Sequence, residues 1–213
     1  DDGQLYWIQD AYTISDRYPY SEPDAMDAKE INYIRNSAKI AVNAYDGSMT
    51  FYVTDPDDAI INTYVDVFPS LFKGMNEMPQ NLKDHIRYPE NFFAVQANKY
   101  LKFHMTDPQI FYNQEDLWEF PREIFFGESA QTMEPYYLIM KLPDQEKEEF
   151  VLIMPFTPLN KPNLVGWLAA RNDGENYGKL VAFTFANERQ IDGPQQVDAR
   201  IDVNPEISES FTL

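Results

Sequence analysis

The chain contains no cysteine. This excludes a disulfide framework, a thiolate metal site and a cysteine nucleophile, and it leaves the compartment open. Histidine is nearly as scarce, with only His85 and His104. A serine hydrolase needs one of them beside a nucleophile, yet no Gly-x-Ser-x-Gly occurs, and Gly127-Glu128-Ser129-Ala130-Gln131 comes nearest. With no cysteine and no His-x-x-x-His pair, zinc has no ligand set. Long apolar runs are missing too. Tyr136 to Met140 and Phe150 to Phe156 are the longest, far short of the roughly 20 residues that span a bilayer. Asp1-Asp2-Gly3 carries neither the basic region nor the apolar core of a signal peptide.

Positive charge is also in deficit, with 17 basic against 35 acidic side chains and a net charge of −18. Such a surface repels phosphate backbones, so no nucleic-acid partner is expected, and Lys99 with Lys102 is too small a basic patch to change that. Anionic membrane surfaces are disfavoured for the same reason. A divalent cation or a basic protein face would suit the charge, although solubility alone explains it. What the chain does have is 213 residues, 44% of them hydrophobic and 15% aromatic. That is enough for a real core, and no linker-like composition shift interrupts it, so residues 1–213 read as one domain.

Gln4 to Thr13 reads as a strand, and Ser15 to Asp27, with Pro19 and Pro23, as an extended loop. Ala38, Ile40, Val42 and Ala44 alternate with polar residues, Asp46-Gly47 follows, and Met49, Phe51 and Val53 alternate again. This predicts a hairpin closed by a two-residue type I′ turn, for which Asp-Gly supplies the positive φ angles. Asp55-Pro56 then predicts a helix start, with Asp57 and Asp58 favouring the positive end of the dipole. A second long helix is predicted from Pro89, its stripe of Phe93, Ala97, Tyr100 and Leu101 arriving at His104 one turn from the end. Asp107-Pro108 predicts a short helix, and 113–118 a single turn. Four short apolar runs, 136–142, 149–156, 164–171 and 179–185, predict an antiparallel meander. Two proline-opened helices, 194–203 and 205–210, close the chain. Strands, then helices, then strands, without βαβα alternation, define an α+β fold, in which the hairpin and the meander can share one mixed sheet.

Several strings resemble a known family. They are Ser15 to Ser21 (SDRYPYS), Ala44-Tyr45-Asp46-Gly47, His104 to Pro108 (HMTDP), Gln131 to Tyr137 (QTMEPYY) and Gly166 to Gly178 (GWLAARNDGENYG). The chain resembles uncharacterised protein family 0182 over almost its whole length, with Asn43 standing where an Asp is expected. The resemblance implies a multi-span bacterial membrane protein whose large soluble region lies outside the cytoplasmic membrane. This chain would be an interior part of that region, an expectation shared by the absent starting Met and the abrupt close at Ser210 to Leu213. The family has no established activity, so the resemblance transfers no catalytic residue.

Two acidic groups merit weighing as sites. Asp55, Asp57 and Asp58 place three carboxylates within four residues, an oxygen-rich set suited to Ca²⁺ or Mg²⁺, but helix capping explains them without a metal. Arg171 to Lys179 is the most polar turn between two strong strands. Asn172, Asp173, Glu175, Asn176 and Tyr177 are the first candidates for a ligand or partner loop, because binding groups concentrate on loops held by rigid strands. A hairpin turn with glycines in left-handed positions explains the same residues structurally. Asp173 and Glu175 are too close in sequence to form a glycosidase pair across a substrate.

The other features have plain structural readings. His104 can favour the carbonyl end of its helix. Glu146 to Glu149 reads as a solvated turn. Tyr12, Tyr18, Tyr20 and Tyr45 near Trp7 form either an aromatic platform or the cover of a core edge. No catalytic residue is assigned. The expectation is a non-enzymatic extracytoplasmic interaction or assembly domain, whose partners are its own membrane-embedded remainder and a protein at the membrane. A divalent-cation or cell-envelope glycan module is the alternative, and carboxylate-based hydrolysis the third reading. A strand edge at Leu5 to Ile8 is expected to lie open to pairing.

Overall fold

A computed structural model describes residues 3–26, 29–124, 129–186 and 190–211. The chain gathers into two compact units, the first ending at Val95 and the second beginning at Gln96. In the first unit, β1 (Tyr6–Ser15), β2 (Asp24–Met26), β3 (Lys29–Ile31), β4 (Tyr33–Asn43) and β5 (Met49–Val53) precede α1 (Ala59–Val67). Strand β6 (Phe72–Gly74) and the short helix α2 (Gln80–Lys83) follow, and then α3 (Glu90–Phe103) opens. The principal sheet runs β1-β4-β5-β6, antiparallel except for the β5–β6 pair. The predicted hairpin is there as β4 and β5, but its loop is Ala44–Ser48 rather than two residues, and of these only Gly47 has positive φ. Side chains rather than an Asp-Gly turn shape it. Asn43 Oδ1 accepts from the Tyr45 N–H at 2.8 Å, and Asp46 Oδ1 from the Ser48 N–H at 2.9 Å.

The second unit adds α4 (Pro108–Asn113), β7 (Trp118–Glu119), β8 (Arg122–Glu123) and β9 (Gln131–Thr132). The predicted meander follows as β10 (Tyr136–Lys141), β11 (Glu148–Pro158), β12 (Gly166–Arg171) and β13 (Leu180–Thr184), with α5 (Pro194–Asp202) and α6 (Pro205–Phe211) after it. Its sheet runs β10-β11-β12-β13, and β7 also pairs with β11. Pro155 sits where β11 changes neighbour: β10 pairs with β11 as far as Ile153, and β7 takes over at Thr157. The missing N–H therefore falls between two partners, which lets an interior strand carry a proline. One face of this sheet buries Leu142, Val151, Ile153, Trp167 and Ala169. On β11's other side Phe156 lies among Tyr100, Trp118 and Phe120, at centroid distances of 5.8, 5.6 and 6.2 Å.

The α+β class is what the sequence indicates, but three details differ. The hairpin and the meander occupy separate sheets. The reason lies in the hairpin's edges: β4 is taken by β1, and β5 by β6 through the α1 crossover, so neither is open to a meander strand. Helix α1 begins at Ala59, not at Pro56, because Asp58 is the N-cap, with extended backbone and a carboxylate that accepts from the Ile60 and Ile61 N–H groups. The predicted turn at 113–118 ends in strand, with Trp118 pairing with Pro158.

Candidate functional site

Paired residues share a face of a sheet, so the register of the first unit fixes its two sides. Trp7, Val42 and Met49 form one cross-strand row, and Gln9, Ile40, Phe51 and Phe72 the next row on the same side. Between them lie the opposite-side residues Ile8, Ala41 and Thr50, and after them Asp10, Lys39, Tyr52 and Lys73. The buried side is the second one. Ala41 and Tyr52 pack with Met78 and Leu82, and Lys39 is 1% exposed. The apolar row is the open side: Leu5, Trp7 and Met49 are 68%, 72% and 60% exposed. At this end the outward side thus exposes Leu5, Trp7 and Met49 beside half-buried Val42, Ile40 and Phe51, while the charged Lys39 faces in. Edge strand β1 borders the open face, as expected for Leu5 to Ile8.

Two polar clusters make the inward side viable. Lys39 and Asp10 are direct cross-strand partners, and their side chains form an ion pair. Lys39 Nζ also donates to the Arg87 carbonyl at 3.1 Å, and Asp10 accepts from Asn36 Nδ2 at 2.8 Å. Burial lowers the Lys39 pKa, and the Asp10 carboxylate opposes that shift. The second cluster centres on Asp58. Its carboxylate accepts from the hydroxyls of Thr13, Ser37 and Tyr33, each at 2.6 Å, and from the Ile60 and Ile61 N–H groups at 3.1 and 3.3 Å. Burial pushes the Asp58 pKa up, but the bonds from Ser37, Thr13, Tyr33 and the Ile60 N–H outweigh it and bring it down to about 2. Tyr33 moves the other way, raised by burial and by Asp58, so it stays the donor.

This geometry separates the three clustered carboxylates. Asp58 is turned inward onto five donors. Asp55 lies 3.4 Å from Arg35 Nη1 and accepts the Asp57 N–H at 3.2 Å. Among the described residues no three His, Asp or Glu side chains are placed to hold a metal ion. The 172–177 loop is tied down at both ends, its far end by the Gly178 N–H on the Arg171 carbonyl at 2.9 Å and the Lys179 N–H on the Asn176 carbonyl at 3.0 Å. The Asn172 N–H and the Asp173 carboxylate bracket Phe150, donating to its carbonyl at 3.0 Å and accepting its N–H at 2.8 Å. Gly174 and Gly178 take the left-handed conformation, and Asn176 accepts from Lys179 Nζ at 2.9 Å. Glu175 is exposed at the tip.

The remaining candidates are dispersed. Tyr12 packs near Phe92, Tyr18 stacks on Tyr33 at 5.2 Å, and Tyr20 and Tyr45 are exposed, so no single platform forms. His104 closes its helix as expected, with Nδ1 3.0 Å from the Tyr100 carbonyl, and its ring stacks on Trp118 at 3.6 Å. Sequence reasoning missed Glu149. Read as part of a solvated turn, it instead grips Arg171 with both oxygens, and both side chains are largely buried. An arginine closing the wholly buried run of β12 was the available signal.

These features define an acidic α+β protein of two units, one of which keeps a charged interior and turns an apolar sheet face outward. The chain belongs to the uncharacterised protein family UPF0182, whose model matches residues 1–213. It is similar to UPF0182 proteins of Trichodesmium erythraeum (50% identical over the whole chain, 25% of that protein) and Methanospirillum hungatei (51%, whole chain, 24% of that protein). A UPF0182 protein of Microcystis aeruginosa is 53% identical over 99% of this chain and 22% of its own length. The chain therefore spans about a quarter of the length of these relatives. No solved structure matches it. Among the described residues no helix is long and apolar enough to cross a membrane.

Proposed function

We propose that this chain is a non-enzymatic assembly module of a larger membrane-associated polypeptide, and that the open face of β1, β4 and β5 docks onto the remainder of that polypeptide. The carrying observation is the face itself: Leu5, Trp7 and Met49 are exposed on one side of the sheet, with half-buried Val42 between the last two, on a chain of net charge −18. Contiguous apolar surface on an otherwise acidic molecule marks an interaction site. The occupant is the same polypeptide because the relatives carry about three quarters of their length outside the matching region. Placement on the outer side of the cytoplasmic membrane rests on the family resemblance.

Trp7→Gln with Met49→Lys tests this. Both residues are exposed, so the isolated chain is expected to keep its melting temperature within about 2 °C. The same changes in the full-length polypeptide are expected to lower its accumulation in membranes several-fold. Unfolding of the isolated chain would make these residues core rather than interface, and unaltered accumulation would remove the docking role.

A further inference from the structure

We infer that the second unit carries an anion site for a phosphomonoester, in a cleft of about 480 Å³ between the β7–β8 segment, the end of β11 and the start of α5. The volume is within the usual range for small-ligand pockets. Its lining includes Glu119, Arg122, Thr157, Asn160, Lys161 and Gln195. Arg122 and Lys161 form no ion pair among the described residues, although carboxylates outnumber cations two to one in this chain. The cleft's carboxylate is already engaged, since Glu119 Oε1 accepts the Asn160 N–H at 2.8 Å. Thr157 is 2% exposed, and among the described residues its hydroxyl reaches only the Glu119 carbonyl, at 3.5 Å, too long for a good O–H···O bond. A buried hydroxyl so poorly satisfied calls for a further partner.

Backbone packing brings the positive end of α5 to the same place. Helix α5 is nine residues long and begins at Pro194, which lines the cleft with Gln195. The approach depends on Gly193, where a Cβ would lie 1.8 Å from the Pro162 carbonyl oxygen. The first-turn N–H groups of Gly193, Gln196 and Val197 are used in the helix cap and Pro194 has none, so α5 offers the Gln195 N–H. A guanidinium fork, an ammonium, a hydroxyl and this N–H together match a dianionic phosphate with three terminal oxygens. A carboxylate would leave part of this set unused. The site belongs to the second unit and the docking face to the first, and the inference does not depend on that face.

Calorimetry at constant ionic strength provides the test, because the acidic chain responds to screening alone. The probes are inorganic phosphate and glucose 6-phosphate, with flotation on phosphatidylcholine vesicles with and without phosphatidic acid. One saturable site is expected, weakened about tenfold or more by Arg122→Gln and by Lys161→Gln, and less by Thr157→Val. Binding to the soluble probes alone supports a free phosphate ester, and flotation only with phosphatidic acid supports a lipid headgroup. No saturable binding up to ~10 mM and no flotation, or binding unchanged in both cation variants, overturns the site.

Discussion

Replacing Asp58 with Ala is expected to lower the unfolding free energy by about 4 kcal/mol, because two buried hydroxyls, a half-buried one and a helix N-terminus lose their common acceptor. Thr13, Ser37 and Tyr33 come from β1 and β4, so this one carboxylate ties the first two strands of the sheet to α1. Among the described residues no cation forms an ion pair with it, and three hydroxyls and the Ile60 and Ile61 N–H groups hold the charge. The pH dependence follows from its pKa, about 2 in the fold against 3.8 ordinarily. Because the folded value is the lower one, the stabilisation is full above 3.8 and lost as pH falls through 2, and it amounts to about 2 kcal/mol. Chemical denaturation of the native chain and Asp58→Asn between pH 2 and 7 checks this. The gap between them is expected to narrow below pH 4, and a gap independent of pH would show that the charge of Asp58 is not what stabilises the fold.

Lys39→Met is expected to cost about 3 kcal/mol, since it strands the Asp10 carboxylate against a buried strand and leaves the Arg87 carbonyl without its ammonium donor. The double change Lys39→Met with Asp10→Leu is expected to recover at least half of that loss, because a buried ion pair is offset by its own desolvation. A double variant as unstable as the sum of the two single ones would mean that the side chains act through separate contacts. The lowered Lys39 pKa has its own consequence. The unfolded chain binds more protons between the folded value and 10.5, so stability rises with pH through that window.

These two clusters explain how much was legible beforehand. The meander, α3, α4 and the two final helices follow from apolar runs, Asp-Pro caps and proline starts, which are local signals. The length of the Ala44–Ser48 loop was not legible, because Asn43 and Asp46 hold it by side-chain bonds that override the Asp-Gly preference. Nor was the Asp58 site. Residues 13, 33, 37 and 58 meet only through the topology of β1, β4 and α1, and no spacing encodes that. Lys39 shows a sharper failure. Alternation assigns Ile40, Val42, Met49 and Phe51 to the buried side of a half-solvated sheet, and Lys39 to water. The fold instead buries Lys39, satisfying it with Asp10 and a carbonyl, leaves Trp7 and Met49 outside, and only half-buries Ile40, Val42 and Phe51. Where a local pattern is broken at such expense, a functional surface is the physical expectation.

The absence of cysteine makes that surface directly measurable. Met49→Cys places a single thiol on the open face, and its maleimide labelling rate can be compared between the isolated chain and the full-length polypeptide in membranes, with any other cysteines of the latter replaced. Rapid labelling of the isolated chain and at least tenfold slower labelling in the full-length protein are expected if the face is covered by the rest of the polypeptide. Equal rates, or slow labelling of the isolated chain through self-association, would contradict the docking of this face onto its own larger chain.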